Sequence, residues 1–342
     1  MENLSNTPTL SNFVMSNQGQ NLPLTILMNS IALSCKSIST AVKRAGISNL
    51  YGLAGEVNAT GDDQKKLDIL SNDIMVNALK NSGVCSVLVS EENEDIIICP
   101  NANSETSKYV VAFDPLDGSS NIDCNVSVGT IFGVYEKTPG EAGLKDALRR
   151  GDDMVCAGYC VYSSAVELVL TFKNGGVHCF CLDPSIGEFV HTRKNMQFPE
   201  GGGKKIYSCN EGNSQQWDKP ILDSASFFKG GAKPYSARYC GSMVADVHRT
   251  LLYGGIFMYP ADKKSTKGKL RILYEGYPMA MIIEQAKGVA STGLFRGTVG
   301  RIMEVVPEHI HDRCPIIMGS PRDVEVVYGF YRAAGVDAPE LE

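Results

Sequence analysis

The chain has 342 residues, 43% of them hydrophobic, which is enough apolar material for a large core divided over one or two lobes. Its formal net charge is -6, and no basic cluster is long enough to follow a nucleic-acid backbone, so a nucleic-acid partner is not expected. No apolar run approaches the roughly 18–20 residues that cross a bilayer, so no membrane partner is expected either.

The cysteines and the chain ends indicate a reducing compartment. The eleven cysteines are scattered, and none forms a Cys-x-x-Cys pair. We therefore expect reduced, mostly buried thiols rather than a disulfide framework. The first residues lack the basic and apolar regions of a signal peptide, and the last residues contain no Ser-Lys-Leu address. The sequence predicts a cytoplasmic location, with a peroxisome-type organelle as the alternative if an address follows the last residue given.

Helical periodicity marks two segments in the first quarter of the chain. Apolar residues recur along 26–45, and Gly46 stands where a C-terminal cap belongs. A second helix is predicted over 67–81, with Gly83 ending it. The connection 47–66 is rich in Gly, Asn and Asp. Loops of that length are uncommon unless they serve a function or are disordered.

The middle of the chain has the pattern of a β-sheet. Segments 85–89 and 109–113 are apolar and are predicted to be buried strands, and each continues directly into carboxylates. Further strand-like segments follow at 127–135, 155–162, 165–172, 176–182 and 187–190.

The last third of the chain mixes both kinds of pattern. The Pro- and Gly-rich stretch 195–205 is the best boundary, and it divides an N-terminal lobe, 1–200, from a C-terminal lobe, 201–342. Helices are predicted at 243–252, 277–287 and 321–333, with short apolar runs at 256–259 and 315–318. The predicted fold class is α/β (α+β) in two lobes.

Acidic residues are concentrated in a few short motifs. They are Asp62 with Asp68, Glu91 with Glu92, Asp114 with Asp117, and Glu275. The Asp114 motif is the most informative, because an apolar strand delivers Asp114 to the edge of a sheet and Pro115 then fixes a turn. The following Gly118-Ser119-Ser120 offers backbone N–H groups that approach an anion closely.

These motifs suit metal-assisted hydrolysis of a phosphate monoester. Carboxylate oxygens are ligands for Mg²⁺ or Mn²⁺, and such ions polarise phosphoryl oxygens and acidify an attacking water. Each motif alone has a simpler explanation: a β-turn with a helix cap at Asp114, a solvated loop at Glu91 and Glu92, and a helix cap at Asp68. The hypothesis depends on their combination, because like-charged carboxylates repel unless cations lie between them.

The string Asp114-Pro-Leu-Asp-Gly-Ser-Ser-Asn-Ile-Asp123 resembles the metal-site signature of the fructose-1,6-bisphosphatase family, within the lithium-sensitive phosphatase superfamily. The similarity extends from Ile26 to Val327, and it implies a layered α-β-α-β-α sandwich with mixed sheets. Further motifs resemble the sugar-bisphosphate pocket of that family: Asn210-Glu-Gly212, Arg238-Tyr-Cys-Gly-Ser-Met243 with Ala245-Asp-Val-His-Arg249, and Tyr259-Pro260 followed by Lys267-Gly-Lys-Leu-Arg271.

The resemblance implies a role for each matching residue. Two or more Mg²⁺ (or Mn²⁺) ions would be held by Asp62, Glu91, Asp114, the carbonyl of Leu116, Asp117 and Glu275. The implied catalytic residues are Asp62, Asp68, Glu91 and Glu92, of which Asp68 and Glu92 would take the proton from the attacking water. The implied substrate contacts are Asp117, Gly118, Ser119, Ser120, Asn210, Arg238, Tyr239, Met243, Tyr259, Lys269 and Arg271.

The activity that the resemblance implies is hydrolysis of D-fructose 1,6-bisphosphate to D-fructose 6-phosphate and phosphate, a gluconeogenic step. The implied assembly is a homo-oligomer, usually a tetramer, in which Arg238 reaches a neighbouring site. The alternatives are a related bisphosphatase acting on sedoheptulose 1,7-bisphosphate, or an inositol-phosphate phosphatase. The Arg238 and Lys269 motifs disfavour inositol monophosphate, which has no second phosphate. A catalytically silent metal- or AMP-binding regulator is disfavoured because every catalytic acid is present.

Regulation is less clearly indicated. Many members of the family bind AMP as an inhibitor in the N-terminal lobe, and Thr25, Lys108 and Tyr109 match that site. Glu136 stands where an arginine contact is expected, and a carboxylate there would repel a phosphate. Asn213 also replaces a tyrosine that is frequent in the 6-phosphate site. The resemblance leaves AMP inhibition open.

Overall fold

The computed structural model describes residues 7–19, 21–48, 50–57 and 63–341. Its helices are α1 Leu10–Asn17, α2 Leu22–Arg44, α3 Lys66–Asn81, α4 Lys219–Lys229, α5 Met243–Tyr253, α6 Tyr277–Gln285 and α7 Pro321–Ala333. Its strands are β1 Leu53–Val57, β2 Asp63–Lys65, β3 Cys85–Ser90, β4 Ile97–Ile98, β5 Tyr109–Asp117, β6 Val128–Glu136, β7 Met154–Tyr162, β8 Val166–Phe172, β9 Val177–Asp183, β10 Glu188–Arg193, β11 Ile206–Cys209, β12 Ser236–Ala237, β13 Ile256–Tyr259, β14 Leu270–Arg271, β15 Val289–Phe295, β16 Thr298–Arg301, β17 Arg313–Cys314 and β18 Ile316–Gly319.

The larger sheet contains eight strands in the order β10-β9-β8-β7-β6-β5-β3-β4. Strands β3 and β5 pair in parallel, whereas β5, β6, β7 and β8 pair antiparallel in sequence. Because β3 and β5 are parallel neighbours, their carboxyl ends, where Glu91 and Asp114 lie, meet at one edge of the sheet.

The smaller sheet has six strands in the order β12-β11-β13-β18-β15-β16. Strand β11 pairs in parallel with β12 and β13, and the pairs β13–β18 and β15–β18 are antiparallel. Both sheets are therefore mixed, as predicted.

Helices and sheets alternate in five layers. Helices α2 and α3 cover one face of the larger sheet, and α5 and α6 lie between the two sheets. Helices α4 and α7 cover the outer face of the smaller sheet. Each boundary buries its own apolar core, represented by Leu27 with Phe132, by Val244 with Ile282, and by Ile221 with Val324. This arrangement confirms the predicted α-β-α-β-α fold class.

Helix α2 differs from the prediction in its start and in its hydropathy. It begins at Leu22 rather than at residue 26, because Asn21 accepts the Leu24 N–H at 3.2 Å and Pro23 suits the first turn. By length and composition alone it is apolar enough to cross a membrane, although we expected no such run. Since 56% of that window is buried inside the protein, we interpret α2 as a core helix.

Several elements were not predicted. The predicted connection 47–66 contains an antiparallel hairpin of β1 and β2. Periodicity in the sequence also did not predict helices α1 and α4 or strands β15 and β16. The predicted helices 67–81 and 321–333 are confirmed as α3 and α7.

Helix α1 is attached to the edge of the larger sheet by an aromatic cluster. Phe13 contacts the rings of His178, His191 and Phe180, with centroids 4.6 to 5.2 Å away. His191 Nε2 lies 3.1 Å from His178 Nδ1, and His178 Nε2 donates to the carbonyl of Gly175. Burial lowers the pKa of His191 to about 4 and also lowers the pKa of His178. Both rings are therefore neutral at pH 7.

This pair predicts a specific acid sensitivity. The unfolded chain protonates His191 near pH 6.5 and the folded protein only near 4, so stability should fall as the pH drops through that window. His191→Phe retains a ring on Phe180 but removes the titrating group. We expect the variant to lose less stability than wild type between pH 7 and 5, by on the order of 1 kcal/mol in urea denaturation. The control is His309→Phe at an exposed position. Equal pH slopes in wild type and His191→Phe would contradict the assignment.

Candidate active site

Three buried carboxylates converge where β5 ends. Asp114, Asp117 and Glu275 each place an oxygen within 4.8 Å of the others. Burial is the largest cause of their altered acidity, and repulsion from Glu91 adds to it: the pKa of Asp114 is raised well above its usual value, that of Asp117 to about 7 and that of Glu275 to about 8. An all-oxygen donor set with excess negative charge fits Mg²⁺ or Mn²⁺.

A β-bulge brings Asp114 and Asp117 to the same site. The sequence predicted that the strand ends at residue 113, but β5 continues through Pro115 to Asp117. Asp114 pairs with Ile131 and Asp117 with Gly129, so β5 has one residue more than β6 across this stretch. Residues three apart in a regular strand face opposite sides, and the extra residue removes that alternation. The hydroxyl of Thr130 satisfies the Pro115 carbonyl at 2.8 Å.

Glu275 reaches the cluster from a single π-helical turn, Ile272–Gly276, that precedes α6. Its Oε2 accepts the backbone N–H of Arg271 at 2.6 Å. The Arg271 guanidinium contacts Glu91 at 2.9 Å and lies 3.9 Å from Glu275. Arg271, which the resemblance assigned to the substrate, therefore also balances two of the acids.

The helix-cap interpretation of Asp68 is confirmed, and its catalytic role stays a prediction. It lies in the first turn of α3, where Oδ2 accepts the Lys65 N–H at 2.7 Å as a helix cap. Its Oδ1 is buried without a hydrogen-bond partner among the described residues. Burial raises its pKa to about 6, although the hydrogen bond from the Lys65 N–H opposes this shift. The cap thus occupies one oxygen and leaves the other for chemistry.

The turn after β5 approaches the start of α5 very closely. Gly118 has φ +77°, and a Cβ at this position would lie 2.7 Å from Ser242 Oγ, so no other residue fits. The Ser242 hydroxyl and the Val244 N–H donate to Asp117 Oδ2 at 3.3 and 2.8 Å. Asn121 Nδ2 donates to the carbonyl of Gly241 at 3.1 Å. These contacts join the turn to the smaller sheet's side of the site.

These elements enclose a cavity of about 420 Å³. It is lined by most of the residues selected from sequence, namely Asp68, Glu91, Glu92, Asp114, Leu116, Asp117, Gly118, Ser119, Ser120, Tyr239, Met243, Tyr259, Lys269, Arg271 and Glu275. Asn210 lies instead in a shallow adjoining depression with Asn213 and Tyr259. Arg238 is exposed and does not line this cavity, and Asp62 lies outside the described residues.

Sequence reasoning missed other lining residues, among them Lys65, Gly241 and Asp246. Gly241 and Asp246 belong to motifs that the resemblance identified, but no role was assigned to either residue. Lys65 is the last residue of β2, three residues before Asp68, and a lone charge there has no distinguishing signal. Only their tertiary contacts in the folded protein identify them as part of the site.

The three residues matched to an AMP site do not line this cavity. Tyr109 OH accepts a hydrogen bond from Asn21 Nδ2 at 3.0 Å, and the Thr25 hydroxyl donates to the Asn21 carbonyl. Glu136 is the cross-strand partner of Tyr109, and the Lys108 carbonyl accepts the N–H of Lys137, the residue that follows β6. Besides burial, the negative charge of Glu136 raises the pKa of Tyr109.

Comparison with known proteins gives a consistent result. Residues 8–194 match the family described as fructose-1-6-bisphosphatase, N-terminal domain, and residues 201–332 match its C-terminal domain. The cytosolic fructose-1,6-bisphosphatase of Arabidopsis thaliana is 52% identical over 331 residues, 94% of each chain. Fructose-1,6-bisphosphatase 1 of Mus musculus is 52% identical over 332 residues, 95% of each chain. The Leishmania major fructose-1,6-bisphosphatase in holo form has a TM-score of 0.89 at 43% identity, covering 95% of this chain and 99% of that chain.

The raised pKa values of the acids predict how metal binding depends on pH. In the unfolded chain these carboxyl groups ionise near pH 4, whereas in the fold Asp117 ionises near 7 and Glu275 near 8. The metal-free fold should therefore lose stability as the pH rises from about 4 to 8. Bound cations should stabilise the fold most at high pH, where the acids are ionised. In EDTA-treated protein at pH 8, Mg²⁺ at a hundredfold excess over Kd should add about 2–3 kcal/mol to the free energy of unfolding. At pH 6 the gain should be smaller, because protons compete with the ion.

The matched controls are Asp114→Asn, which removes a proposed ligand, and Asp223→Asn, which removes an exposed acid paired with Lys219. Asp223→Asn should keep the full Mg²⁺ effect and Asp114→Asn should lose most of it. A Mg²⁺ effect of the same size in both variants would contradict this site.

Proposed function

The chain belongs to the fructose-1,6-bisphosphatase family, and we propose that it hydrolyses D-fructose 1,6-bisphosphate to D-fructose 6-phosphate and phosphate, a gluconeogenic step. It is accordingly a phosphoric monoester hydrolase. The observation that supports this most directly is the meeting, in one cavity, of the buried acids Asp114, Asp117 and Glu275 with the fixed cation Lys269.

The acids divide into metal ligands and proton acceptors. We propose that Glu91, Asp114, Asp117, Glu275 and the Leu116 carbonyl hold two or more Mg²⁺ or Mn²⁺ ions, together with Asp62, which lies outside the described residues. Bound cations supply Lewis-acid stabilisation of the charge that develops on the phosphoryl group and the leaving oxygen. The described acids of this set all line the cavity.

Asp68 and Glu92 are the proposed acceptors of the proton from the attacking water. A base functions best when its pKa lies near the working pH, and the pKa of about 6 at Asp68 meets that requirement. Its unpartnered Oδ1 is available for this hydrogen bond. We propose that the N–H groups of Gly118, Ser119 and Ser120 hold the phosphate that is cleaved.

The phosphate that is not cleaved requires fixed charge rather than cations that respond to the reaction. We propose that Tyr239, Tyr259 and Lys269, which line the same cavity, bind the sugar and its 6-phosphate. Met243, Asn210 and Arg271 complete the proposed contacts. On this assignment, lobe 1–200 supplies most of the metal ligands and lobe 201–342 most of the sugar contacts.

We further propose a homotetramer in which Arg238 serves a neighbouring subunit's site. Arg238 is exposed and lies outside the lining of its own cavity, which supports this role. The plant relatives are named cytosolic, and we propose a cytoplasmic location; nothing found supports the peroxisome-type alternative.

Asp114→Ala tests the activity. Phosphate release with Mg²⁺ or Mn²⁺ should fall roughly a thousandfold in kcat/KM, because a lost ligand removes several kcal/mol of charge stabilisation. Asp223→Asn changes an acid that lies outside the cavity and pairs with Lys219, so this variant should retain wild-type rates. In the same assay with wild type, kcat/KM should be higher for D-fructose 1,6-bisphosphate than for sedoheptulose 1,7-bisphosphate or inositol 1-phosphate. Unchanged release in Asp114→Ala, or a different ranking, would refute the proposal.

For regulation, we propose that AMP binds weakly at Thr25, Lys108 and Tyr109. The carboxylate of Glu136 acts electrostatically on Tyr109, and it would repel the phosphate of a nucleotide held there. Glu136→Arg should therefore lower the AMP concentration for half-inhibition by about tenfold. Glu141→Arg, in a nearby exposed loop, is the charge-matched control. Identical AMP titrations of both variants and wild type would exclude this site.

A further inference from the structure

We infer that Asp246 is the positioning residue for the substrate segment, by which we mean residues 238–242 between β12 and α5. This inference rests on the proposed function, since the segment presents Arg238 and Tyr239 to substrate. Residues 238–241 are exposed and belong to no helix or strand. At the start of the segment, the Arg238 N–H donates to the carbonyl of Tyr207 in β11 at 2.9 Å. Tyr239 lines the cavity from this segment.

The carboxylate of Asp246 holds the segment by its backbone. Asp246 is fully buried in the first turn of α5. The Cys240 N–H lies 3.1 Å from Oδ1 and 3.0 Å from Oδ2, and the Gly241 N–H donates to Oδ2 at 3.1 Å. The Asp246 N–H in turn donates to the Ser242 carbonyl at 3.0 Å. A single acid therefore fixes successive peptide units immediately after Tyr239.

Arg249, one turn further along α5, balances the buried charge and extends the anchor. Its Nη2 lies 2.7 Å from Asp246 Oδ1 and 2.7 Å from the carbonyl of Arg238. Its Nη1 lies 3.6 Å from the Cys240 sulfur. The pair thus holds the segment at both ends, and it does so without touching the metal-site acids.

The lone pairs of Asp246 are committed to these donors, which excludes a direct role in catalysis. Besides the segment and Arg249, Oδ1 accepts the hydroxyl of Ser208 at 3.0 Å. An oxygen surrounded by so many donors has no lone pair left for a metal ion or for a hydrogen bond from substrate. Asp246 borders the cavity but acts through the residues that it holds.

The opposite side of the segment is hydrogen-bonded to the turn that we propose holds the phosphate that is cleaved. Asn121, in the turn after Gly118, donates to the Gly241 carbonyl at 3.1 Å. The segment is therefore held between Asp246 on one side and the turn that contains Gly118 and Asn121 on the other. This arrangement sets the distance between the site for the cleaved phosphate and the site for the retained one, and so favours a doubly phosphorylated sugar of one length.

Loss of the anchor should weaken binding more than turnover. The retained phosphate is bound alike in the ground and transition states, so misplacing its contacts raises KM and leaves kcat nearly unchanged. In Asp246→Asn, the new amide N–H₂ would face either the backbone N–H groups or the guanidinium of Arg249. Hydrogen bonds to a charged group are strong enough that we expect a KM increase of about tenfold.

The experiment compares four variants by steady-state kinetics and thermal unfolding. Asp246→Asn should raise KM, and should raise the Ki of the product D-fructose 6-phosphate by a similar factor, with kcat within about threefold of wild type. Ser208→Ala removes a hydrogen bond that the same carboxylate accepts from β11, outside the segment, and should leave KM unchanged. Lys269→Ala, which removes a proposed direct phosphate contact, is the positive control for the same KM pattern.

The fourth variant, Asp246→Asn with Arg249→Gln, separates positioning from stability. Removing both charges should restore folding that an unpaired Arg249 disturbs, so this variant also replaces Asp246→Asn if the single change fails to fold. KM should stay raised in it. An unchanged KM in Asp246→Asn, or recovery of KM together with stability in the double variant, would overturn the inference. Failure of the wild type to hydrolyse D-fructose 1,6-bisphosphate would instead refute the proposed function.

Discussion

Repulsion between buried carboxylates is the interaction on which the arrangement of the site depends. Asp114, Asp117 and Glu275 lie within 4.8 Å of one another and are all buried, which raises the pKa of each. The surrounding layers hold them together, because β5 lies inside the larger sheet with helices on both faces. The backbone N–H of Val244 and the side chain of Arg271 offset part of the charge, and on the proposed function divalent cations would balance the rest.

The five-layer architecture separates two kinds of charge. The acids at the end of β5 belong to the larger sheet, where cations can follow charge as it develops during reaction. Lys269 and Tyr239 come from the lobe of the smaller sheet, where the charge and hydroxyl are permanent. The start of α5 lies between these groups. It donates to Asp117 through Val244 and holds residues 238–242 through Asp246, so one helix end aligns both halves of the cavity.

Much of the fold was readable from periodicity. Helices α3 and α7 and the central strands follow their predicted segments closely, because long apolar repeats bury one face whatever lies around them. Helix α1 was missed because it spans only Leu10–Asn17, and the contact of Phe13 with His178 and His191 that fixes it crosses more than 160 residues of sequence. The hairpin of β1 and β2 was missed because its composition is that of a loop.

For the site, the sequence by itself identified the residues that we propose to carry the chemistry, since the acids, the Gly-Ser-Ser turn and the Lys269 motif are local strings with local signals. Tertiary structure decided how they act together. The bulge at Pro115 that lets Asp114 and Asp117 face one point depends on pairing with β6, and the saturation of Asp246 depends on donors from β11, the substrate segment and α5. Such relations need long-range contacts, which no local pattern in a single chain encodes.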